Sequence, residues 1–300
     1  MERSDTRGHL AALFSIAVWS STYVSTKILV RTFSPLEISL VRFTIGLALM
    51  LVLAPPKRGP IRWKEEARIA AAGVSCIFLY YFLENLAAVH TYASNVAVIV
   101  TTIPLWTGIA GPLVYRDEKF SARIPTAFVL SMAGMAVLLR GTWGTEVSWK
   151  GDLAALAAAF AFAFYTLLLR GVDPGIPALT VTRKTLVYGW TAIAITAAAT
   201  GNLPALPKLA NPANIGHFLF LGTLASAICF WTWASAVRDL GAVRASQFIY
   251  LVPFVATGLS AVLLGEQLTG PRVAGMALIV GGVFVSQFDF RSFAGRNTAS

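Results

Sequence analysis

The chain has 300 residues, 56% of them hydrophobic and 13% charged, with a formal net charge of +10 and a mean hydropathy of +0.69. A soluble domain carries about a quarter charged residues, so this composition excludes one and defines an integral membrane protein. The positive charge calls for no nucleic-acid partner, because membrane proteins concentrate Lys and Arg in cytoplasmic loops.

A bilayer-spanning helix needs about 20 apolar residues. Ten segments qualify, at roughly 9–29, 35–54, 68–89, 93–114, 123–140, 151–170, 178–199, 214–236, 243–264 and 271–288. Breakers separate them: Pro35, Pro55-Pro56, Gly141, Pro174 to Pro177, Pro204 to Pro212, and Gly270-Pro271. The predicted fold is all-α, an integral membrane bundle with no soluble domain. MERSDTRGH leads into an apolar run without a small-residue cleavage site, so that run is expected to remain as the first span. Cys76 and Cys229 lie inside apolar segments and read as small core residues, not a disulfide framework.

Loop charges set the expected orientation. One set of alternate loops carries Arg3, Arg7; Lys57, Arg58, Arg62, Lys64, Arg68; Arg116, Lys119, Arg123; Arg170; Arg238, Arg244; and Arg291, Arg296. The other carries Arg31, Arg140, Lys150, Lys208 and Arg272. The first set is expected to be cytoplasmic, with both termini inside.

The chain also repeats itself. A shift of about 149 residues lays Pro253 on Pro104, Glu266 on Asp117 and Arg272 on Arg123, with Gly281 and Gly282 beside Gly134. Earlier parts echo at a smaller shift, Tyr23 against Tyr165 and Arg42 against Arg183. The expected domains are 1–146 and 147–300, each with five spans. An odd number of spans per half turns the second half upside down. The prediction is two inverted five-helix repeats around an axis in the membrane plane, an arrangement that points to a transporter.

The stretch AVWSSTYVSTKILVRTFSPLEISLVRF resembles the first helix pair of the EamA family, in the drug/metabolite transporter superfamily. Pro253 and the following LLGEQLTGPRVAGMALIVGGV resemble that family's C-terminal signature of Pro, small-residue helix, Gly-Glu and Gly-rich last helix. The first half departs from it, with Tyr115-Arg116-Asp117-Glu118 in place of Gly-Glu. The resemblance covers nearly the whole chain and also extends to the YddG-type exporters of aromatic amino acids. It implies a carrier of the bacterial inner membrane that exports a small metabolite, with amino acids as the substrate class.

Charged residues inside spans are costly and therefore functional candidates. Glu84 sits mid-segment in YYFLENLAAV, with Tyr80 one turn before it on the same face. A carboxyl there can take up a proton or meet an amino group; the structural alternative is a hydrogen bond to a neighbouring helix. Asn85 points about 100° away and reads as packing glue. Lys27 is expected to snorkel to the interface. Arg42 and Arg183, at matching repeat positions, read as a fold device that ties helix ends to carbonyls or lipid phosphate. Lys184 and Glu37 read as interfacial anchors.

Aromatic and polar residues paired mid-span complete the expected cavity, because a Tyr or Trp polar edge is costly in lipid unless matched. The candidate substrate-binding set is Trp19, Tyr80, Glu84, Thr102, Trp106, Tyr165, Trp231, Gln247 and Tyr250. Such a cavity suits a small solute with an apolar body and a polar head. Pro104 and Pro253, mid-span at equivalent positions, are expected to kink their helices and serve as gates. Gly134, Gly275, Gly281 and Gly282 permit close helix approach, for packing or for a homo-oligomer.

His9, His90 and His217 form no HExxH or Cys/His arrangement. No Gly-rich phosphate loop is present, so no enzyme, metal, cofactor or ATP-driven step is expected. The expected partners are the lipid bilayer and a small-molecule substrate. Competing readings are an exporter of flat cationic drugs, held by cation–π attraction, and a sugar-phosphate or nucleotide-sugar exchanger. The second would need several cavity-facing Lys or Arg to meet phosphate. Outside transport, the alternative is a structural or partner protein of the membrane.

Overall fold

The computed structural model of the chain describes residues 2–56, 62–117, 126, 129–130, 132–134, 136–137 and 148–287. The expected fifth span, 123–140, therefore lies mostly outside the described residues. So do Lys57, Arg58, Lys119, Arg123, Arg140, Arg291 and Arg296, and the break at Gly141. Among the described residues the chain is helical and has no strand.

The helices are α1 (Glu2–Leu29), α2 (Pro35–Leu53), α3 (Trp63–His90), α4 (Ala93–Val114), α5 (Trp149–Arg170), α6 (Ala178–Ala199), α7 (Pro212–Leu240), α8 (Ala242–Leu264) and α9 (Gly270–Gln287). Six of them, α2, α3, α4, α5, α7 and α8, are long and apolar enough to cross a membrane. The starts follow local chemistry. Ser34 and Glu37 form a capping box ahead of α2, with Pro35 in its first turn. Ser148 caps α5, and Asn211 caps α7 ahead of Pro212.

The packing falls into matched pairs. α1 lies along α7 and α8, and α5 lies along α3 and α4. α2 packs on α6 between these groups. Close approach depends on glycines at the crossings. A Cβ on Gly189 of α6 would sit 2.6 Å from the Gly73 carbonyl oxygen of α3. A Cβ on Gly222 of α7 would sit 2.9 Å from the Arg42 carbonyl oxygen of α2. Gly134, within the expected fifth span, meets α9 in the same way, 2.8 Å from the Gly275 carbonyl oxygen. That face of Gly134 is thus used within the chain.

Four of the long helices are irregular, again in pairs. α3 contains a π-helical stretch at Val74–Tyr80, and α7 contains one at Phe220–Ile228. α4 breaks at Thr101 and Thr102, and α8 passes through a 3-10 stretch at Gln247–Leu251. Pro104 and Pro253 each lie in the first turn of the helical segment after the break. The expectation of a proline kink inside a continuous helix is corrected accordingly. Each proline starts a new segment, where its missing N–H costs no hydrogen bond.

The two ends of the bundle are held by different polar contacts. At one end Arg7 binds Asp239 at 2.9 Å, Arg62 binds Asp173, Arg170 binds Asp117, and Lys184 binds Glu66. Arg7, Arg62 and Arg170 all belong to the set that the charge pattern assigns to one side. At the other end Lys27 Nζ donates to the carbonyls of Ala88 at 2.7 Å and Thr91 at 2.6 Å, where α3 terminates. Thr91 in turn donates to Asp152 at 2.7 Å, and Asn95 donates to Thr91 at 3.0 Å.

Candidate functional site

A cavity lies between these ends, where α1, α3, α4, α5 and α8 meet. Its polar groups come mainly from α1 and α3. Tyr80 closes the π stretch of α3 and Glu84 follows one turn later, so both face the same way. Tyr80 Oη donates to Glu84 Oε1 at 2.8 Å, and Glu84 is 4% exposed. Trp19 and Tyr23 of α1 line the same cavity.

The walls are aromatic. Trp19 meets Phe162 at 5.7 Å and Trp233 at 5.4 Å between ring centroids, and Tyr80 meets Phe162 at 5.1 Å. The π stretch of α7 explains how Trp19 is satisfied. A π turn disrupts the usual i to i−4 ladder, and here the Ala225 carbonyl accepts from Trp19 Nε1 at 2.8 Å. The cavity volume is about 20 Å³, room for about one water molecule. A solute the size of an amino acid does not fit this volume.

Three of the expected binding residues, Trp19, Tyr80 and Glu84, line this cavity together. The other six do not. Tyr165 lies just behind it, 1% exposed, with its ring 5.4 Å from Phe162. Thr102 is buried and donates to the Ile99 carbonyl at 2.8 Å, as part of the break in α4. Trp106 is half-buried against Phe160, whose ring faces outward. Gln247 and Tyr250 lie in the 3-10 stretch of α8, half-buried, while Ile249 between them turns into the cavity. Trp231 is 38% exposed on the outer face of α7, whereas Trp233, at 0%, packs on Trp19 behind the cavity.

Arg42 also departs from expectation. It sits about two turns inside α2 and is fully buried, with a side-chain hydroxyl as its partner instead of a carbonyl. Its Nε donates to Ser226 Oγ in the π stretch of α7 at 3.0 Å. Its guanidinium carbon lies 4.2 Å from the centroid of Tyr81, itself a cavity residue. Sequence reasoning missed Arg42, Tyr81 and Phe162 as parts of one site. The signal available was the charge of Arg42 inside a span. Asn85 behaves as expected and ties α3 to α2 through the Pro35 carbonyl at 3.1 Å and Ser39 at 2.9 Å. Cys76 and Cys229 are buried and unbridged.

A many-helix apolar bundle with a small aromatic cavity, a buried carboxyl group in its wall and matched irregular helices has the form of a membrane carrier. The EamA-like transporter family model matches this chain twice, over residues 6–140 and 149–288, and the chain belongs to that family. One relative, named as a probable terminal-alkyne amino-acid exporter from Streptantibioticus cattleyicolor, is 26% identical over 92% of this chain and 91% of its own length. Another, a probable amino-acid metabolite efflux pump from Salmonella typhimurium, is 24% identical over 97% of each chain. Others are described only as transporters. A solved crystal structure shares the fold, with a TM-score of 0.70 at 21% identity over 94% of this chain and 98% of that one.

Proposed function

We propose that this protein is a secondary transporter that exports small metabolites, amino acids of aromatic or broad neutral type, across the bacterial inner membrane by alternating access. One observation carries the reading: Glu84, hydrogen-bonded to Tyr80, lines an aromatic cavity together with Trp19. A carboxylate there meets the substrate's amino group, and the rings receive its apolar side chain. The names of the two exporter relatives support the substrate class and the direction.

The architecture we propose is ten transmembrane helices in two inverted five-helix repeats, 1–146 and 147–300, with both termini cytoplasmic. The double family match, the matched helix contacts and the paired π stretches support it. In this scheme the halves rock about the breaks before Pro104 and Pro253, exposing the cavity to one side at a time. Glu84 couples export to protons by holding either a proton or the substrate's ammonium group.

The test is counterflow in liposomes that contain the purified protein, with a panel of labelled amino acids. Accumulation of an aromatic or neutral amino acid, lost on Glu84→Gln, supports the reading. Absence of flux for every amino acid, in protein shown to be folded, overturns it and directs attention to flat organic cations, which suit the same aromatic walls.

A further inference from the structure

We propose that Arg42 is the carboxylate-binding residue of this carrier, so that the site reads both charged ends of a zwitterion. The inference rests on the amino-acid reading above and deepens it. Its basis is the position and partners of one buried guanidinium.

Arg42 is 0% exposed, in the interior of α2. Its Nε is bound to Ser226, but Nη1 and Nη2 have no hydrogen-bond partner among the described residues. An ionised guanidinium held away from water is costly unless its donors are met. Arginine remains charged in proteins, so this group cannot escape the cost by releasing its proton. The fork of two free Nη groups matches a carboxylate, which accepts two parallel hydrogen bonds.

The surroundings place that fork beside the substrate cavity. Arg42 lies over the ring of Tyr81 at 4.2 Å, and Tyr81 is a wall of the cavity. Glu84 is one turn along α3 from Tyr81, on the same face. Tyr81 therefore touches the guanidinium and lines the cavity that Glu84 also lines. Movement of its ring would open the guanidinium to the cavity. An amino acid would then lie with its ammonium on Glu84, its carboxylate on Arg42 and its side chain among Trp19 and Phe162.

The two π stretches give this arrangement a mechanical context. Ser226, the partner of Arg42, belongs to the π stretch of α7, and Tyr80, the partner of Glu84, belongs to that of α3. A substrate bridging Arg42 and Glu84 would couple the irregular segments of the two halves. A bare amine, or an amino-acid amide, would engage one side alone.

The experiment compares binding of phenylalanine, phenylethylamine and phenylalaninamide to the purified full-length protein, by ligand-induced shift in melting temperature and by competition in the transport assay. The wild type is expected to prefer phenylalanine over both analogues by about 10- to 100-fold, the range for a lost charge-assisted hydrogen-bond pair. Arg42→Gln is expected to bring the ratio close to one by weakening phenylalanine while leaving phenylethylamine. Arg42→Lys, which keeps the charge and loses the fork, should fall between. If Arg42→Gln fails to fold, the fork is tested by Arg42→Lys, and an unchanged preference there overturns it. Equal binding of all three compounds by the wild type, with phenylalanine still transported, overturns the role of Arg42 and leaves the amino-acid reading standing. An unchanged preference in folded Arg42→Gln does the same. If phenylalanine and the other amino acids neither bind nor move, the amino-acid reading fails and this inference fails with it.

Discussion

Glu266, in the loop ahead of α9, holds the first turn of α4. Its carboxylate accepts from the backbone N–H of Ala93 at 2.9 Å, from that of Ser94 at 3.2 Å and from Ser94 Oγ at 2.6 Å. An anion at a helix N-terminus satisfies free N–H groups and meets the positive end of the helix dipole. Gly265, at φ 68°, provides the left-handed turn that delivers it. The Gly-Glu of the C-terminal signature thus has a physical role, sealing the end of the bundle near Lys27. Glu266→Ala is expected to lower stability by about 1–3 kcal/mol and to loosen that end. In an otherwise cysteine-free protein, a thiol placed by Asn95→Cys should then react faster with a polar reagent. Equal labelling with and without Glu266 would contradict the seal.

Two tryptophans two residues apart should respond very differently. Trp233 packs on Trp19 and is 0% exposed, whereas Trp231 faces outward. Trp233→Ala is expected to cost about 3–5 kcal/mol and to abolish transport. Trp231→Ala is expected to leave flux within about twofold, as outer-face substitutions do. Thermal melting in detergent and counterflow together would check both; loss of transport in folded Trp231→Ala would place the cavity elsewhere.

The crossing of α3 and α6 has no room for a side chain. A Cβ at Gly189 would come within 2.3 Å of Ile77 Cβ. Gly189→Val is expected to lower the melting temperature or prevent folding, by overpacking of about 1–3 kcal/mol or more. Gly216 has nothing within 4 Å of a Cβ, so Gly216→Ala is the matched control and should melt near the wild type.

At the loop end, Asp173 accepts from the Gly175 N–H and from Arg62, and these hold its carboxyl below the usual carboxylate range. A lowered carboxyl stabilises the fold above its unfolded value of about 4, and that contribution is lost as pH falls through the lowered one. Melting curves of wild type and Asp173→Asn should therefore differ at neutral pH and converge in acid. A gap that persists or widens at low pH would contradict this contact.

The chain's legibility followed regular geometry. Tyr80 and Glu84, four residues apart, were readable as one face, and they are hydrogen-bonded. Trp231 was not readable, because α7 carries a π stretch just before it. A π turn advances the face differently from an α turn, so spacing alone did not show which of Trp231 and Trp233 turns inward. Pro104 and Pro253 were legible as matched positions, but not as starts of new segments. That depended on the 3-10 and turn geometry ahead of them. Arg42 was legible as a charge inside a span, while its burial came from Tyr81, Phe43 and Ser226 on three helices. Such convergence is tertiary and has no local signature.

In the proposed mechanism an amino acid crosses through the cavity of Trp19, Tyr80 and Glu84, with Glu84 exchanging a proton for the substrate's ammonium. The most direct test measures flux of labelled phenylalanine in proteoliposomes, with and without an imposed pH gradient, for wild type and Glu84→Gln. The account predicts gradient-driven flux in the wild type and its loss, together with the pH dependence, in folded Glu84→Gln. Transport at an unchanged rate and with unchanged pH dependence in Glu84→Gln would contradict it.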